Sequence, residues 1–404
     1  MAGSLVVAFL NYLYYPALGR ILPVAEFGEL QAILAIYLQF SVLVYIFSLA
    51  ITHIASNEKF PGANLSEINS VANLANWAAL IAGLLFFLCS PLVKDYLKLS
   101  LFAPLLTLAP IFWLTARIGI YNAYRQGRQE LHKLNIANFI SSGGRLFFAL
   151  ALIALGASVF GALAALFLAQ ALSLLYLGNG LLSKPAGKFV KIKFGPELTN
   201  NLKHSVLALF AVSSITFFYS ADVIFARHYF SAEEAGVYGG ISAIARMLYF
   251  FSGPIAGALL PAVKIKASEK DNQRILIKSI LLTLAVNFIL FLTFCVFYHK
   301  VIGFLLGEKY QSLANLLPGL SFLMFLVSIV NLLFYYYLAL RRYALIPISM
   351  IGVSISLIAI IFNHDSLSAL IADFSFGAGA MLFILLFDYA KNYFHYHSGF
   401  QRGA

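Results

Sequence analysis

FFYSADVIFARHYFSAEEAGVYG, residues 217–239, closes one apolar stretch, turns through a few polar residues and opens another. The same arrangement occurs at residues 17–30, ALGRILPVAEFGEL. Placing Arg20 on Arg227 puts Ala25-Glu26 on Ala232-Glu233, and one inserted residue then brings Gly28 onto Gly236. A second echo follows one helix later, where Ala55-Ser56-Asn57-Glu58-Lys59 resembles Ala267-Ser268-Glu269-Lys270. Two occurrences half a chain apart read as an internal duplication, which in apolar chains marks many transporter folds.

Of the 404 residues, 61% are hydrophobic and 11% charged. A soluble domain is about half apolar and a quarter charged, so this chain has the bilayer as its solvent. Apolar runs predict membrane helices at 3–19, 29–53, 69–91, 100–123, 134–156, 159–181, 202–226, 236–262, 275–298, 313–339, 343–362 and 367–388. Each is long enough for a hydrocarbon core of about 30 Å. The first run begins at Leu5 with no basic residue before it, so it reads as a membrane helix rather than a cleavable signal peptide. Cys89 and Cys295 lie inside apolar runs and read as packing residues.

The net charge of +11 is placed with a bias. With the N-terminus inside, inner loops and the C-terminal tail carry 18 of the 27 Lys and Arg, and outer loops carry six. That asymmetry predicts both termini in the cytoplasm, and it accounts for the basic balance without nucleic acid. The fold class expected is all-α and polytopic, with about twelve transmembrane helices. The longest polar connection splits the chain into an N-terminal six-helix lobe, 1–182, a cytoplasmic linker, 183–201, and a C-terminal six-helix lobe, 202–404. Six helices per repeat give two copies in the same orientation, a parallel repeat.

Ionisable groups inside the membrane are costly and mark function by default. Arg145 and Arg246 fall deep in the fifth and eighth expected helices, and Arg117 lies in the fourth, nearer the inside. Asp222 and Asp373 are the acids within helices, both toward the outer face. Arginine cannot shed its proton, and its forked donors suit phosphate oxygens. Two acids cannot neutralise three arginines, so Arg145, Arg246 and Arg117 are candidates for an anionic headgroup in a cytoplasm-facing cavity. Capping of carbonyls, or pairing with Asp222 and Asp373, is the structural alternative. Arg246 breaks the repeat, since its counterpart is Leu38, whereas Arg20 and Arg227 recur and read as structural pairs beside Glu26 and Glu233. Asp222, and then Asp373, are candidates for coupling to H+ or Na+, with a local Asp222–Arg227 pair as the alternative. Eight scattered histidines show no metal-binding spacing, and no cofactor is expected.

Residues 221–261, ADVIFARHYFSAEEAGVYGGISAIARMLYFFSGPIAGALLP, together with 17–30 and with GIYNAYRQGRQELHKL at 119–134, resemble the polysaccharide transporters. These are the Wzx-type flippases of the multidrug/oligosaccharidyl-lipid/polysaccharide (MOP) exporter superfamily. The likeness spans the first eight expected helices and fades by Arg342. Pro23-Val24 stands where the family usually has Gly-Pro, and the segment before the first helix is short. The resemblance implies a MATE-like pair of lobes around a central cavity, alternating access, and residence in the plasma (inner) membrane. It also implies a polyprenyl-diphosphate-linked oligosaccharide as cargo, such as an O-antigen, capsule or exopolysaccharide unit on undecaprenyl diphosphate. Arginines lining the cavity are part of the pattern, carried here by Arg145 and Arg246, and by Arg117. Membrane lipids and other polysaccharide-assembly proteins are the implied partners.

Four other readings compete. A MATE-like, cation-coupled exporter of small molecules favours buried carboxylates over arginines, and residues 5–18 carry no charge. The same absence argues against a lipid II flippase. A major-facilitator transporter lacks its expected basic, glycine-rich loop in ASNEKFPGANLSEINS, residues 55–70. A membrane glycosyltransferase or polymerase needs an outer catalytic loop, and the outer loops are too short to form one.

Overall fold

The computed structural model describes residues 2–56, 61–178, 196–263, 268–342 and 344–400, and no strand occurs among them. The helices are α1 (Ala2–Ile21), α2 (Val24–Ala55), α3 (Pro61–Tyr96), α4 (Ala103–Leu106), α5 (Leu108–Gly127), α6 (Leu131–Ala154), α7 (Ser158–Gly178) and α8 (Pro196–Tyr229). They continue with α9 (Ala232–Ala245), α10 (Met247–Ala262), α11 (Glu269–Val296), α12 (Tyr298–Leu305), a 3₁₀ segment (Glu308–Leu316), α13 (Leu317–Ala339), α14 (Leu345–Phe362) and α15 (Leu367–Phe400). Among the described residues, eleven helical segments are long and apolar enough to cross a membrane. The apolar helix α1 adds 20 residues, about 30 Å at 1.5 Å per residue. The chain is a multi-pass membrane protein, and every predicted run is found as helix.

One predicted span is interrupted. Residues 100–123 become α4 and α5, which meet at Thr107. Pro110 offers no N–H to the Leu106 carbonyl, so the ladder breaks there. Residues 236–262 are covered by α9 and α10, and the helical bonds run on through Arg246 between them, from its N–H to the Ser242 carbonyl and from the Phe250 N–H to its carbonyl, both at 3.1 Å. Helix α12 and the 3₁₀ segment occupy a stretch that sequence patterning left as a connection. Most of the linker expected at 183–201 lies outside the described residues, as do Asn57-Glu58-Lys59 and Ala267 of the second echo.

By contact the chain forms two compact units. The first comprises Met1–Leu209, Val223–Gly240 and Gly303–Ser312, and the second Phe210–Asp222, Ile241–Ile302 and Leu313–Ala404. In the first, α6 packs along α7, α2 along α5, and α1 along α6. Its core at one end gathers Ile51 and Ile54 of α2, Ile68 and Val71 of α3, Tyr121 of α5 and Leu177 of α7. In the second, α13 is central and packs on α10, α11 and α15, while α14 packs on α15. Helix α11 leaves Ile277, Leu281, Ile289 and Val296 exposed, which carries no penalty where the solvent is lipid.

The two repeated turns meet inside the first unit. A Cβ on Gly28 would lie 2.6 Å from the Gly236 Cα, and one on Gly236 would strike the Val24 carbonyl oxygen. The glycines aligned by the repeat therefore touch each other, and only a missing side chain allows that approach. By contrast, a Cβ on Gly253 in α10 meets nothing within 4 Å. Gly236→Ala is expected to cost about 1–3 kcal/mol by overpacking, and Gly253→Ala to gain about 0.5–1 kcal/mol of helix propensity. Thermal unfolding of the two variants in detergent should shift in opposite directions.

Candidate functional site

Asn11, Tyr14 and Tyr15 share a face of α1 because residues three and four apart are neighbours on a helix. Ser142 and Arg145 do the same on α6, against which α1 lies. The Asn11 amide donates to Ser142 Oγ at 2.9 Å, and Arg145 Nη2 donates to Asn11 Oδ1 at 3.3 Å. The guanidinium sits 4.0 Å from the centre of the Tyr14 ring. Gln170 Nε2 of α7 donates to Tyr37 Oη of α2 at 2.9 Å, and Thr115 Oγ1 of α5 donates to it at 3.2 Å. Tyr14, Tyr15 and Tyr37 interact electrostatically with one another or with Arg145, which joins these groups into one polar patch.

Arg117 is held differently. Its guanidinium lies 5.9 Å from the Trp113 ring and 5.6 Å from the Tyr121 ring, one turn to either side on α5. The Nε atoms of Arg117 and Arg145 are buried without a hydrogen-bond partner. Among the described residues, no ion pair includes Arg117 or Arg145. Each cation is therefore steadied by aromatic faces, worth about 0.5–2 kcal/mol apiece, and Arg145 also by an amide. Their charge is not cancelled by a carboxylate.

Arg246 is cancelled. In the second unit its Nη2 lies 3.4 Å from Asp222 Oδ1, with both side chains buried. Ser242 Oγ donates to the other carboxylate oxygen at 2.6 Å, and the Tyr219 ring lies 5.1 Å from the guanidinium. The antiparallel pairing of α8 with α9 and α10 brings Asp222 alongside residues 242–246, where sequence spacing alone pointed to Arg227. Asp373 of α15 belongs to the same unit. Its Oδ1 accepts from Asn363 Nδ2 at 3.2 Å, and its Oδ2 is buried with no hydrogen-bond partner.

The recurring arginines do not take the acids of their own turns. Arg20 donates to the carbonyls of Phe304 and Leu305. Arg227 bonds to Glu29 at 2.9 Å, while Glu26 accepts from Ser158. Glu29 was not singled out from the sequence, although its place beside Gly28 was the available signal. Once the repeat glycines touch, the next residue of α2 comes within reach of α8. At the turn between α5 and α6, burial pushes the Glu130 carboxyl up, but hydrogen bonds from Lys133 and Arg125 outweigh it and hold the group below the usual range. No cluster of metal-binding side chains occurs among the described residues.

The model of a family described as polysaccharide biosynthesis protein matches residues 1–264. The chain belongs to that family. No curated protein matches the sequence. Among solved structures, the chain is similar to the lipid II flippase MurJ in its inward closed conformation. The TM-score is 0.78 at 13% identity, covering 96% of this chain and 87% of that one. A multidrug resistance MATE family transporter of the MOP superfamily, inward-facing, matches with TM-score 0.72 and 12% identity, covering 95% and 94%. A MOP superfamily transporter from Pyrococcus furiosus, whose binding pocket of reverse polarity suggests a different function, matches with TM-score 0.56 and 13% identity, covering 95% and 91%. The fold is that of the MOP exporters, as the sequence resemblance implied. At 12–13% identity these likenesses show a fold that the chain shares with membrane transporters.

Breaking the buried Asp222–Arg246 pair leaves an uncompensated charge, at a cost of about 3–5 kcal/mol. Asp222→Ala should therefore lower the unfolding midpoint in detergent well beyond the effect of the double variant Asp222→Ala/Arg246→Met. Equal losses for the single and double variants would show that the two groups do not depend on one another.

Proposed function

We propose that the protein is a flippase that moves a polyprenyl-diphosphate-linked oligosaccharide from the cytoplasmic to the outer leaflet by alternating access. The observation that carries this reading is Arg145, a half-buried membrane arginine attended by Asn11 and Tyr14 and by no carboxylate among the described residues. A fixed positive charge inside a bilayer requires a counter-charge or water, and the diphosphate of a lipid-linked sugar supplies one in bidentate form. Arg117 offers a second such charge nearer the inside. Arg246 is the candidate of the second unit, where the headgroup would compete with Asp222 for it. Asp222 and Asp373 are the carboxylates available for coupling to H+ or Na+. The protein resides in the plasma (inner) membrane with both termini cytoplasmic, as lobes 1–182 and 202–404 joined by 183–201. Its partners are the undecaprenyl-diphosphate sugar, membrane lipids and other polysaccharide-assembly proteins.

One observation favours a second reading. A buried carboxylate oxygen on Asp373 with no donor suits a cation-coupled exporter of small molecules. The two readings separate on ligand-dependent thermal stabilisation, because a ligand that prefers the folded state raises its stability. Undecaprenyl-diphosphate sugars should stabilise the wild type, and Arg145→Ala should weaken that binding by about tenfold or more, as loss of a charged hydrogen bond does. Stabilisation by cationic drugs alone would establish the exporter and leave the arginines structural.

A further inference from the structure

Helices α5 and α6 are joined by a short turn and run antiparallel, and their polar residues match across the pair. On α5, Asn122 follows Thr115 by seven residues, and on α6, Asn138 precedes Arg145 by seven. Seven residues are two turns, about 10 Å along the axis, so each of these pairs shares one helix face. Asn122 and Asn138 therefore sit level with each other, two turns nearer the α5–α6 turn than Arg145. The structure joins them, with Asn122 Nδ2 donating to Asn138 Oδ1 at 3.3 Å. On α6 the residues Asn135, Asn138, Ser142 and Arg145 make one stripe, because positions three and four apart stack on a helix. The stripe is turned from lipid. The exposed rings Phe139 and Phe147 lie on another side of α6. Ala137 and Gly144 face α7, where Ser173 Oγ donates to the Ala137 carbonyl at 2.9 Å and a Cβ on Gly144 would meet Ala169 at 3.3 Å.

We infer that Asn122 and Asn138 form a carbohydrate subsite, which takes hydroxyl groups of the cargo's sugar while Arg145 takes its diphosphate. The inference deepens the flippase reading and rests on it. Three observations carry it beyond a plain tie between helices. First, the amides are largely unspent. Each carboxamide has two donors and an oxygen with two lone pairs, yet the pair makes one bond at the long end of the normal range. Asn122 Oδ1 is buried with no hydrogen-bond partner, a state that costs free energy until an O–H or N–H reaches it. Second, the chemistry matches hydroxyls. A neutral amide donates and accepts at once, as a sugar hydroxyl does, and it offers no net charge to hold a phosphate or a metal ion. Third, the spacing is right for one molecule with two kinds of group. The amides share a face of α6 with the uncancelled Arg145 cation, about 10 Å away, which a phosphate alone does not span and a short oligosaccharide attached to it does.

The experiment compares two probes by the thermal stabilisation each gives the purified protein in detergent. One is lipid-linked oligosaccharide extracted from the cells that make the protein, and the other is bare undecaprenyl diphosphate. The wild type should bind the sugar-bearing lipid about tenfold more tightly than the bare one, as a few neutral hydrogen bonds allow. Asn122→Ala and Asn138→Ala should each weaken the sugar-bearing lipid by about threefold to tenfold and leave the bare diphosphate unchanged. Arg145→Ala should weaken both lipids alike. Melting without ligand reports whether each variant folds, and Asn138→Ser, with a shorter polar side chain, replaces an alanine variant that does not. Variants that melt lower yet keep the wild-type preference for the sugar overturn the subsite and leave the pair a structural tie. Equal weakening of both lipids in the asparagine variants overturns it as well. Stabilisation of the wild type by both lipids to the same degree overturns the subsite alone, whereas stabilisation by neither overturns the flippase reading together with it.

Discussion

A guanidinium keeps its proton in the bilayer, so each membrane arginine must be given a counterpart, and this chain does so in three ways. Arg227 and Arg246 receive carboxylates, Glu29 and Asp222. Arg20 receives backbone carbonyls. Arg145 and Arg117 receive aromatic faces, with an amide added for Arg145. The three solutions differ in how much charge they leave. Carboxylates cancel it, carbonyls disperse it, and aromatic rings accommodate it without cancelling it. Residual positive charge is thus concentrated at Arg145 and Arg117 in the first unit, and that distribution supports an anionic ligand without requiring all the arginines to act alike.

Much of this was legible in the sequence. Continuous apolar runs of helix length announced every helical span, because a bilayer leaves few other ways to satisfy backbone groups. The recurrence of Arg20, Ala25-Glu26 and Gly28 at Arg227, Ala232-Glu233 and Gly236 revealed the duplication. The partners of the charges were only partly legible. Asp222 is five positions from Arg227 and twenty-four from Arg246, so local spacing offered Arg227, while pairing of a membrane arginine with Asp222 stood as the structural alternative that Arg246 fulfils. Pairing across an antiparallel hairpin depends on where the turn falls and on helix rotation, and a one-dimensional pattern specifies neither closely. Glu29 was overlooked for a related reason. Its partner lies 198 positions away and is reached only through the glycine contact.

The duplication is also more informative where it fails. Arg246 replaces the leucine found at Leu38 and pairs with Asp222. Its backbone stays helical, its N–H donating to the Ser242 carbonyl and the Phe250 N–H to its own carbonyl, both at 3.1 Å. The charge is thus accommodated without a backbone break, as the counterpart helix α2 runs unbroken from Val24 to Ala55. The shared elements of the repeat build the scaffold, and the unshared ones supply most of its buried charge.

The allocation of Val223–Gly240 and Gly303–Ser312 to the first unit also bears on biogenesis. Domains are commonly completed in order as the chain leaves the ribosome. Here the earliest helices enter the membrane lacking pieces of their own end. Ser312 must be made before the first unit possesses all its parts, when about three-quarters of synthesis is done. Until residues 227 and 236 are made, Glu29 has no cation and the glycine seam at Gly28 has no partner. The first half must therefore persist as an unfinished bundle in the bilayer, and its assembly is necessarily a late event.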